Sequence, residues 1–145
     1  MYRLLLAVLG LALICEGIAR ADQPAADDRT LHLSLANTGA VPLHCRLMFG
    51  HWVEQDLGPI APGAAVDLAI SQAGKDGALY ILRADGQRRM MIETIICGRD
   101  GDWMASYGQV DFAPARGSRP ARIATSCALP ATGGRVACPP PRLEN

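Results

Sequence analysis

The stretch VPLHCRLMFGHW, at residues 41–52, decides how the rest of the chain is organised. Its apolar side chains Leu43, Cys45, Leu47 and Phe49 recur at every second position. Alternate side chains of a strand point to the same face, so this spacing predicts a strand with one face against a core. A cysteine on that face can be bridged to a neighbouring strand. We therefore predict that residues 41–52 form the central strand of a sheet.

The first residues of the chain have the pattern of a secretory signal. Arg3 precedes an apolar run from Leu4 to Cys15, and Ala19-Arg20-Ala21 offers small residues at the two positions that a signal peptidase recognises. We predict cleavage after Ala21 and a periplasmic or secreted protein. The run is shorter than the roughly 20 residues of a permanent membrane helix, so no membrane span is expected after cleavage. The alternatives are an uncleaved anchor and a lipid-modified Cys15.

The remaining length fits one domain. We predict a signal over residues 1–21, a flexible leader over 22–29, a β domain over 30–138 and a projecting proline-rich tail over 139–145. Fourteen Lys and Arg residues balance fourteen Asp and Glu residues. A net charge near zero argues against a nucleic-acid partner.

Four cysteines follow the predicted signal, and an even number in an exported chain indicates disulfides. Of the three possible pairings we predict Cys45 with Cys97 and Cys127 with Cys138. Each bridge would contribute about 3–4 kcal/mol to stability in the chain-entropy model. There is no CxxC motif and no close Cys/His cluster, which disfavours a zinc site or a thioredoxin-like redox site.

Other stretches alternate in the same way as residues 41–52. The segments Thr30–Asn37 and Val66–Ile70 each place Leu, Val or Ile at every second position, which predicts two more strands. The prolines within residues 58–63 predict a sheet edge or a crossover between sheets. Residues 123–127 and 135–138 are predicted as short strands around a turn, 110–113 as another strand, and 114–120 as a loop.

The strongest hairpin signal is Asp85-Gly86, between residues 78–84 and 87–96. Both faces of this hairpin are apolar. Either both faces are covered, or a bulge between Met90 and Cys97 turns Cys97 and the isoleucines toward one core.

One segment resembles a known kind of domain. The order of its residues is similar to that found in immunoglobulin-like bacterial sandwich domains: a strand follows Leu57-Gly58 and Pro62-Gly63. Taken with the short strands and turns, it favours an all-β chain: a single immunoglobulin-like antiparallel β-sandwich of about seven short strands, with two disulfides.

A copper site is the sharpest functional alternative. Copper is bound by histidine and thioether ligands, and His44, Met48 and His51 lie close together in the sequence. Met90, Met91 and Met104 would be further soft donors. His44 and Met48 lie about 13 Å apart on a regular strand, so a bulge or bend would have to bring them together. The simpler interpretation is that the methionines fill the core and the histidines lie on the surface, with no cofactor bound.

Charged residues within apolar stretches supply the third hypothesis. Glu93 lies in the apolar segment Met90–Cys97, where a buried carboxylate needs a cation such as Arg46 or Arg83. A carboxyl group with a raised pKa at this position would make the chain a small hydrolase. Asp100 and Asp102 form either a calcium loop or a solvated turn, and the latter is favoured.

The sequence favours a binding protein over an enzyme, because no GxSxG, HExxH or Ser-x-x-Lys motif is present. We predict an exported, non-catalytic binding or accessory protein whose partner is another envelope protein. Trp52 and Trp103 are its candidate anchors. Both could instead lie in the core, and the core position is favoured.

Overall fold

The computed structural model describes residues 28–82 and 88–145. The predicted signal peptide, its cleavage site after Ala21, most of the predicted leader and the Asp85-Gly86 turn lie outside the described residues. In chain order the elements are β1 (Arg29–Asn37), β2 (Leu43–Phe49), a 3-10 turn (Gly50–Trp52), β3 (Glu54–Ile60), β4 (Ala65–Gln72), β5 (Leu79–Leu82), β6 (Arg89–Arg99), α1 (Trp103–Ser106), β7 (Gly108–Gln109), α2 (Ala113–Arg116), β8 (Arg122–Cys127) and β9 (Arg142–Glu144). The predicted all-β class is confirmed.

The strands form one hydrogen-bonded sheet in the order β3-β2-β6-β5-β4-β1-β8-β9, with β7 beside β6. The long strand β6 joins the two halves of this sheet, because its first residues pair with β5 and its later residues pair with β2. Inward side chains from both halves pack into one core. The architecture is therefore sandwich-like, with nine strands among the described residues where about seven were expected. The immunoglobulin-like topology stays a prediction.

One strand pairing departs from the predicted antiparallel arrangement. Strands β1 and β8 run parallel, with Leu33 opposite Ile123. The chain crosses from β7, in one half of the sheet, to β8, in the other half. After this crossover β8 lies beside β1 and runs in the same direction as β1. Parallel neighbours require such a crossover, since a tight turn only joins antiparallel strands.

The predicted central strand is β2, which lies between β3 and β6. Its alternating side chains Leu43, Cys45, Leu47 and Phe49 are at most 3% exposed, so the period-two pattern was a correct guide to the core. The strand ends at Phe49, however, and residues 50–52 form the turn into β3.

Strand β6 contains the predicted bulge. Met48 lies opposite Thr94 and Phe49 lies opposite Ile92, so Glu93 is the extra residue. Because of the bulge, the side chains of Ile92, Ile95 and Cys97 all point into the core, and all three are fully buried. A regular strand would have pointed Ile92 and Ile95 to opposite faces.

Both predicted disulfides are present. Cys45 and Cys97 lie directly opposite one another on β2 and β6, with their Cα atoms 4.1 Å apart. The second bridge, between Cys127 and Cys138, closes the loop after β8. Paired cysteines are typical of proteins exported to an oxidising compartment. Within the two described ranges, no helix is long and apolar enough to cross a membrane.

Predictions near the C-terminus need correction. The strand expected at residues 110–113 is wrong, because α2 begins at Ala113 and takes in part of the expected loop 114–120. Pro114 favours a first helical turn, where its missing N–H costs nothing. Residues 135–138 form only one bridge, between Ala128 and Ala137.

The ends of the domain also differ from expectation. The tail does not project, because β9 pairs with β8 and Leu143 packs against the core. At the other end, β1 begins at Arg29 and the Asp28 carboxylate lies 2.7 Å from Arg89, so the last residues of the expected leader belong to the fold.

One buried amide ties several segments together. The side chain of Gln72 is 1% exposed and donates hydrogen bonds to the carbonyls of Gly77 (3.3 Å), Ala115 (3.0 Å) and Ser118 (2.9 Å). Its own oxygen accepts two bonds from Arg29. We call this group the Gln72 anchor. It fixes α2 against β4 and leaves no Gln72 polar atom without a partner, as a buried amide requires.

Candidate functional site

The turn between β2 and β3 has an unusual backbone. His51 has φ 65° and ψ 30°, and Trp52 has φ 63°. Among the described residues these are the only two non-glycine residues with positive φ. The Phe49 amide closes the turn by donating to the Val53 carbonyl at 2.8 Å. The left-handed conformation costs a residue with a Cβ about 1–2 kcal/mol.

Two consecutive left-handed residues are the requirement of a type I′ hairpin turn. Asn-Gly is the favoured pair for that turn, since both residues adopt positive φ at little cost. The chain carries His51-Trp52 instead, one residue of which is large and aromatic. The turn is therefore less stable than the same hairpin would be with Asn-Gly.

The side chain of Trp52 gains nothing from the core in return. It is 93% exposed, and the neighbouring Val53 is also exposed. The expectation that both tryptophans belong to the core is thus wrong for Trp52. An indole group buries a large apolar area when it enters a pocket, which is why tryptophan is common among the residues that dominate binding energy.

Trp103 is in a different situation, because it is half-buried on the outer face of β2 and β6. Its indole N–H donates to the His44 carbonyl at 3.1 Å, and the Arg46 guanidinium lies 4.7 Å from the centre of its ring. A Cβ on Gly98 would lie 2.7 Å from the indole, so only glycine fits beneath it. Trp103 also stacks with Tyr107 at 5.9 Å. These contacts give Trp103 a packing role, and we keep Trp52 as the anchor.

His44 lies between two carboxylates on the same outer face. Its Nε2 is 2.6 Å from Asp56 Oδ1 and its Nδ1 is 3.7 Å from Asp100 Oδ1. The Gly58 amide also donates to Asp56 at 2.8 Å. The bond from Gly58, followed by the contacts with His44 and Arg46, lowers the pKa of the exposed Asp56 carboxyl.

The copper hypothesis is neither strengthened nor removed by this geometry. His44 and Met48 share the outer face of β2, as the strand period predicts, while His51 lies in the turn. Both ring nitrogens of His44 face carboxylates, so a metal at this position would have to displace Asp56. Within residues 28–82 and 88–145, no three His, Cys, Asp or Glu side chains are grouped as metal ligands. Copper binding by His44, Met48 and His51 stays a prediction that a competition titration with Cu(I) and Cu(II) would test.

Glu93 is not the buried charge that its apolar surroundings suggested. The bulge turns its side chain outward, where it is exposed. Arg46, proposed as its partner, pairs with Glu54 at 3.0 Å. The bulged backbone is held by Arg116, which donates to the carbonyls of Ile92 and Glu93 at 3.2 and 3.3 Å. Glu93 is thus not the buried carboxylate on which the hydrolase hypothesis was based, and the hydrolase stays a prediction.

The comparisons with known proteins come from structure alone. No protein-family model matches the chain, and no curated protein matches it. Among solved structures, a protein from Eubacterium rectale determined by NMR is similar over 77% of this chain and 89% of its own, with 11% identity and a TM-score of 0.43. The functional argument therefore depends on the geometry of this chain.

The left-handed pair His51-Trp52 was missed by sequence reasoning, which continued the strand to Trp52. The alternation of apolar residues ends at Phe49, and Gly50 follows it, so the end of the strand had a signal. The backbone conformation had none, because His-Trp has no preference for positive φ.

Proposed function

We propose that this protein is an exported, non-catalytic binding or accessory module that holds a protein partner in the cell envelope through the Trp52 turn. The turn is defined by residues 49–53. The observation that carries the proposal is a large aromatic side chain, 93% exposed, on a backbone that favours other residues.

The free-energy argument has two parts. The left-handed backbone at His51 and Trp52 lowers the stability of the isolated domain. The indole, which is exposed to water in the folded and the unfolded chain alike, contributes no compensating burial. Strained residues of this kind cluster at functional sites, where binding offsets their cost. Burying the indole in a partner's pocket would contribute about 2–4 kcal/mol, as residues that dominate an interface commonly do.

The charge beside the turn favours a particular kind of pocket. Glu93 Oε1 lies only 3.8 Å from the position of a Cβ on Gly50, at the base of the turn. Among the described residues its carboxylate has no cationic partner. We infer that the partner presents an apolar pocket with a basic side chain on its rim. An anionic membrane surface fits less well, because Glu93 would be repelled.

The compartment fits this function. Two disulfides favour an oxidising space, and the signal predicted over residues 1–21 would deliver the chain there. The domain is of the proposed immunoglobulin-like type, a scaffold on which the ends of strands and their loops carry the binding residues.

Site-specific photo-crosslinking in the native envelope tests the proposal. Benzoylphenylalanine is placed at position 52 in one variant and at position 104 in a matched control. Met104 is suitable because it is 75% exposed and lies on a short helix with an ordinary backbone. We expect one discrete crosslinked protein from position 52, and we expect competition by unlabelled wild-type protein but not by Trp52→Gly.

Equal crosslinking from positions 52 and 104 would mean that envelope proteins contact this domain non-specifically, which would contradict the proposal. No crosslink at position 52 from cells that contain the folded, oxidised variant would also contradict the proposal. The fold of each variant is checked by its two disulfides in mass spectrometry without reductant.

A further inference from the structure

A second surface of the molecule offers backbone hydrogen bonds to a binding partner. Strand β4 pairs with β1 over its whole length, from Ala65 to Gln72. On its other side it pairs with β5 only at Ser71 and Gln72. Within the described residues, no strand pairs with residues 65–70 on that side, and β4 and β5 diverge from Ser71 onward.

The hydrogen bonds at the two ends of β4 show which groups face the opening. The Asn37 amide donates to the Ala64 carbonyl on the β1 side, and the Ala73 amide donates to the Ala78 carbonyl on the β5 side. Hydrogen-bonding groups alternate between the two sides of an antiparallel strand. The amides and carbonyls of Ala65, Asp67 and Ala69 therefore point away from β1, into the opening.

An apolar groove lies at one end of this opening, where β4 and β5 separate. It has a volume of about 400 Å³ and is lined mainly by Ile70, Ile81, Leu82 and Tyr80. Leu82 is 54% exposed, and Val66 and Leu68 on β4 are only partly buried, whereas the inward leucines of β1 are fully buried. The charged side chain that lines the groove is Arg89, which already pairs with the Asp28 carboxylate at 2.7 Å and lies over the ring of Tyr80 at 4.3 Å.

The other strand edges of the sheet are protected against pairing. Strand β3 carries Pro59, a bulge at Leu57 and two acidic side chains, and β9 is three residues long. Residues 65–70 contain no proline or bulge, and their one charged side chain, Asp67, pairs with Arg122 at 3.2 Å. Edge strands normally carry such devices, because an unprotected edge pairs with any extended chain.

We propose that the free edge of β4 binds an extended segment of a partner polypeptide by strand addition. The segment carries apolar side chains at alternate positions, which enter the groove. Backbone hydrogen bonds to Ala65, Asp67 and Ala69 supply affinity, and the groove supplies specificity, as in other strand-addition complexes. This surface is separate from the Trp52 turn and does not depend on the function proposed for that turn.

The probe is a capped octapeptide in which Val alternates with Thr between two terminal Asp residues. The control peptide has the same side chains, but alternate backbone amides are methylated. Binding to the full-length, signal-cleaved protein is measured by fluorescence polarisation. We expect saturable binding that is weakened at least about tenfold by backbone methylation and by Ala69→Pro. Proline at position 69 removes an outward amide and spares the bonds to β1.

Hydrogen exchange of the free protein supplies the second measurement. We expect the amides of Ala65, Asp67 and Ala69 to exchange faster than those of Val66 and Leu68, and to slow when the peptide is added. Protection of the first set in the free protein would show that the edge is already covered, which overturns the proposal. It is also overturned if no saturable binding occurs up to millimolar peptide, or if the methylated peptide binds equally well.

Discussion

The Gln72 anchor and the Trp52 turn are opposites in their chemistry. At the anchor a polar amide is buried, and each of its atoms has a partner. At the turn an apolar ring is exposed, and its backbone favours other residues. The anchor is a buried polar group that stabilises the fold. The turn carries an exposed apolar group on a backbone that lowers the stability of the isolated domain.

This difference separates residues that are explained by the stability of the fold from residues that are not. A buried amide that donates to three carbonyls is explained by the fold alone, because any apolar replacement would remove a donor from each of those carbonyls. An exposed indole on a left-handed backbone is not explained by the fold. The contrast is the reason for assigning the function to the turn, and four measurements test it.

The largest effect is expected from Gln72→Leu. The leucine removes the donors to Gly77, Ala115 and Ser118 and leaves buried carbonyls unsatisfied, so the free energy of unfolding should fall by about 3–5 kcal/mol. The matched control is Gln55→Leu on the exposed part of β3, where a change within about 0.5 kcal/mol is expected. Urea unfolding measures both. Equal losses at the two positions would mean that the anchor has no special role.

The second effect concerns a glycine at the anchor. Gly77 has φ +69°, and a Cβ there would lie 1.9 Å from the Arg116 carbonyl oxygen. Gly133 has φ +78° with open space around it. We expect Gly133→Ala to cost about 1 kcal/mol for the backbone alone. Gly77→Ala should cost at least about 2 kcal/mol more, because α2 must move. Thermal unfolding of the two variants gives the difference, and similar values would contradict the tight contact.

The third prediction has the opposite sign. Replacing His51-Trp52 by Asn-Gly should raise the free energy of unfolding by about 1 kcal/mol, since the new pair suits a type I′ turn. The same variant should fail to compete with the wild-type protein in the crosslinking experiment. His51→Asn alone, which keeps the indole, should stabilise less and still compete. A double variant that is less stable than wild type would refute the cost assigned to this turn.

The smallest effect is expected from Asp56→Asn on the face between the two regions. The pKa of Asp56 is lowered in the folded protein, so its charge stabilises the fold above the unfolded-state pKa of about 3.9. That contribution is lost as the pH falls through the lowered pKa. The melting temperatures of wild type and variant should therefore differ slightly near pH 6 and converge once the pH has fallen below the lowered pKa of Asp56. A constant difference across this range would exclude a role for the charge.

Several features of the fold were predictable from local pattern. Alternating apolar residues identified β1, β2 and β4, because a strand with one buried face has a period of two. The bulge in β6 was one of two alternatives that the sequence left open, because a regular strand places Ile92 on one face and Ile95 and Cys97 on the other. The disulfide between Cys45 and Cys97 was predictable because both cysteines lie on inward positions of strands.

Other features were hidden because they depend on distant neighbours. Gln72 continues the β4 alternation as a polar residue, and nothing in its vicinity reveals that Ala115 and Ser118 lie beside it. Strand β3 was recognised only in part, as a sheet edge or crossover near Pro59, since Glu54 and Asp56 do not alternate with apolar residues. Glu93 seemed buried until the bulge turned it outward.

The sequence by itself determined the all-β class and the inward face of the main strands, because these depend on residue type and on a spacing of two. The pairing of the cysteines was one of three possibilities until the structure showed it. Only the tertiary structure decided that Trp52 is exposed, that Trp103 is packed beneath Arg46 and that β8 runs parallel to β1. It also decided that, among the described residues, no strand pairs with residues 65–70 on the side away from β1. The physical reason is that exposure and strand partners are properties of the whole chain. They depend on which distant segments contact one another in the folded chain, and the local sequence does not specify those contacts.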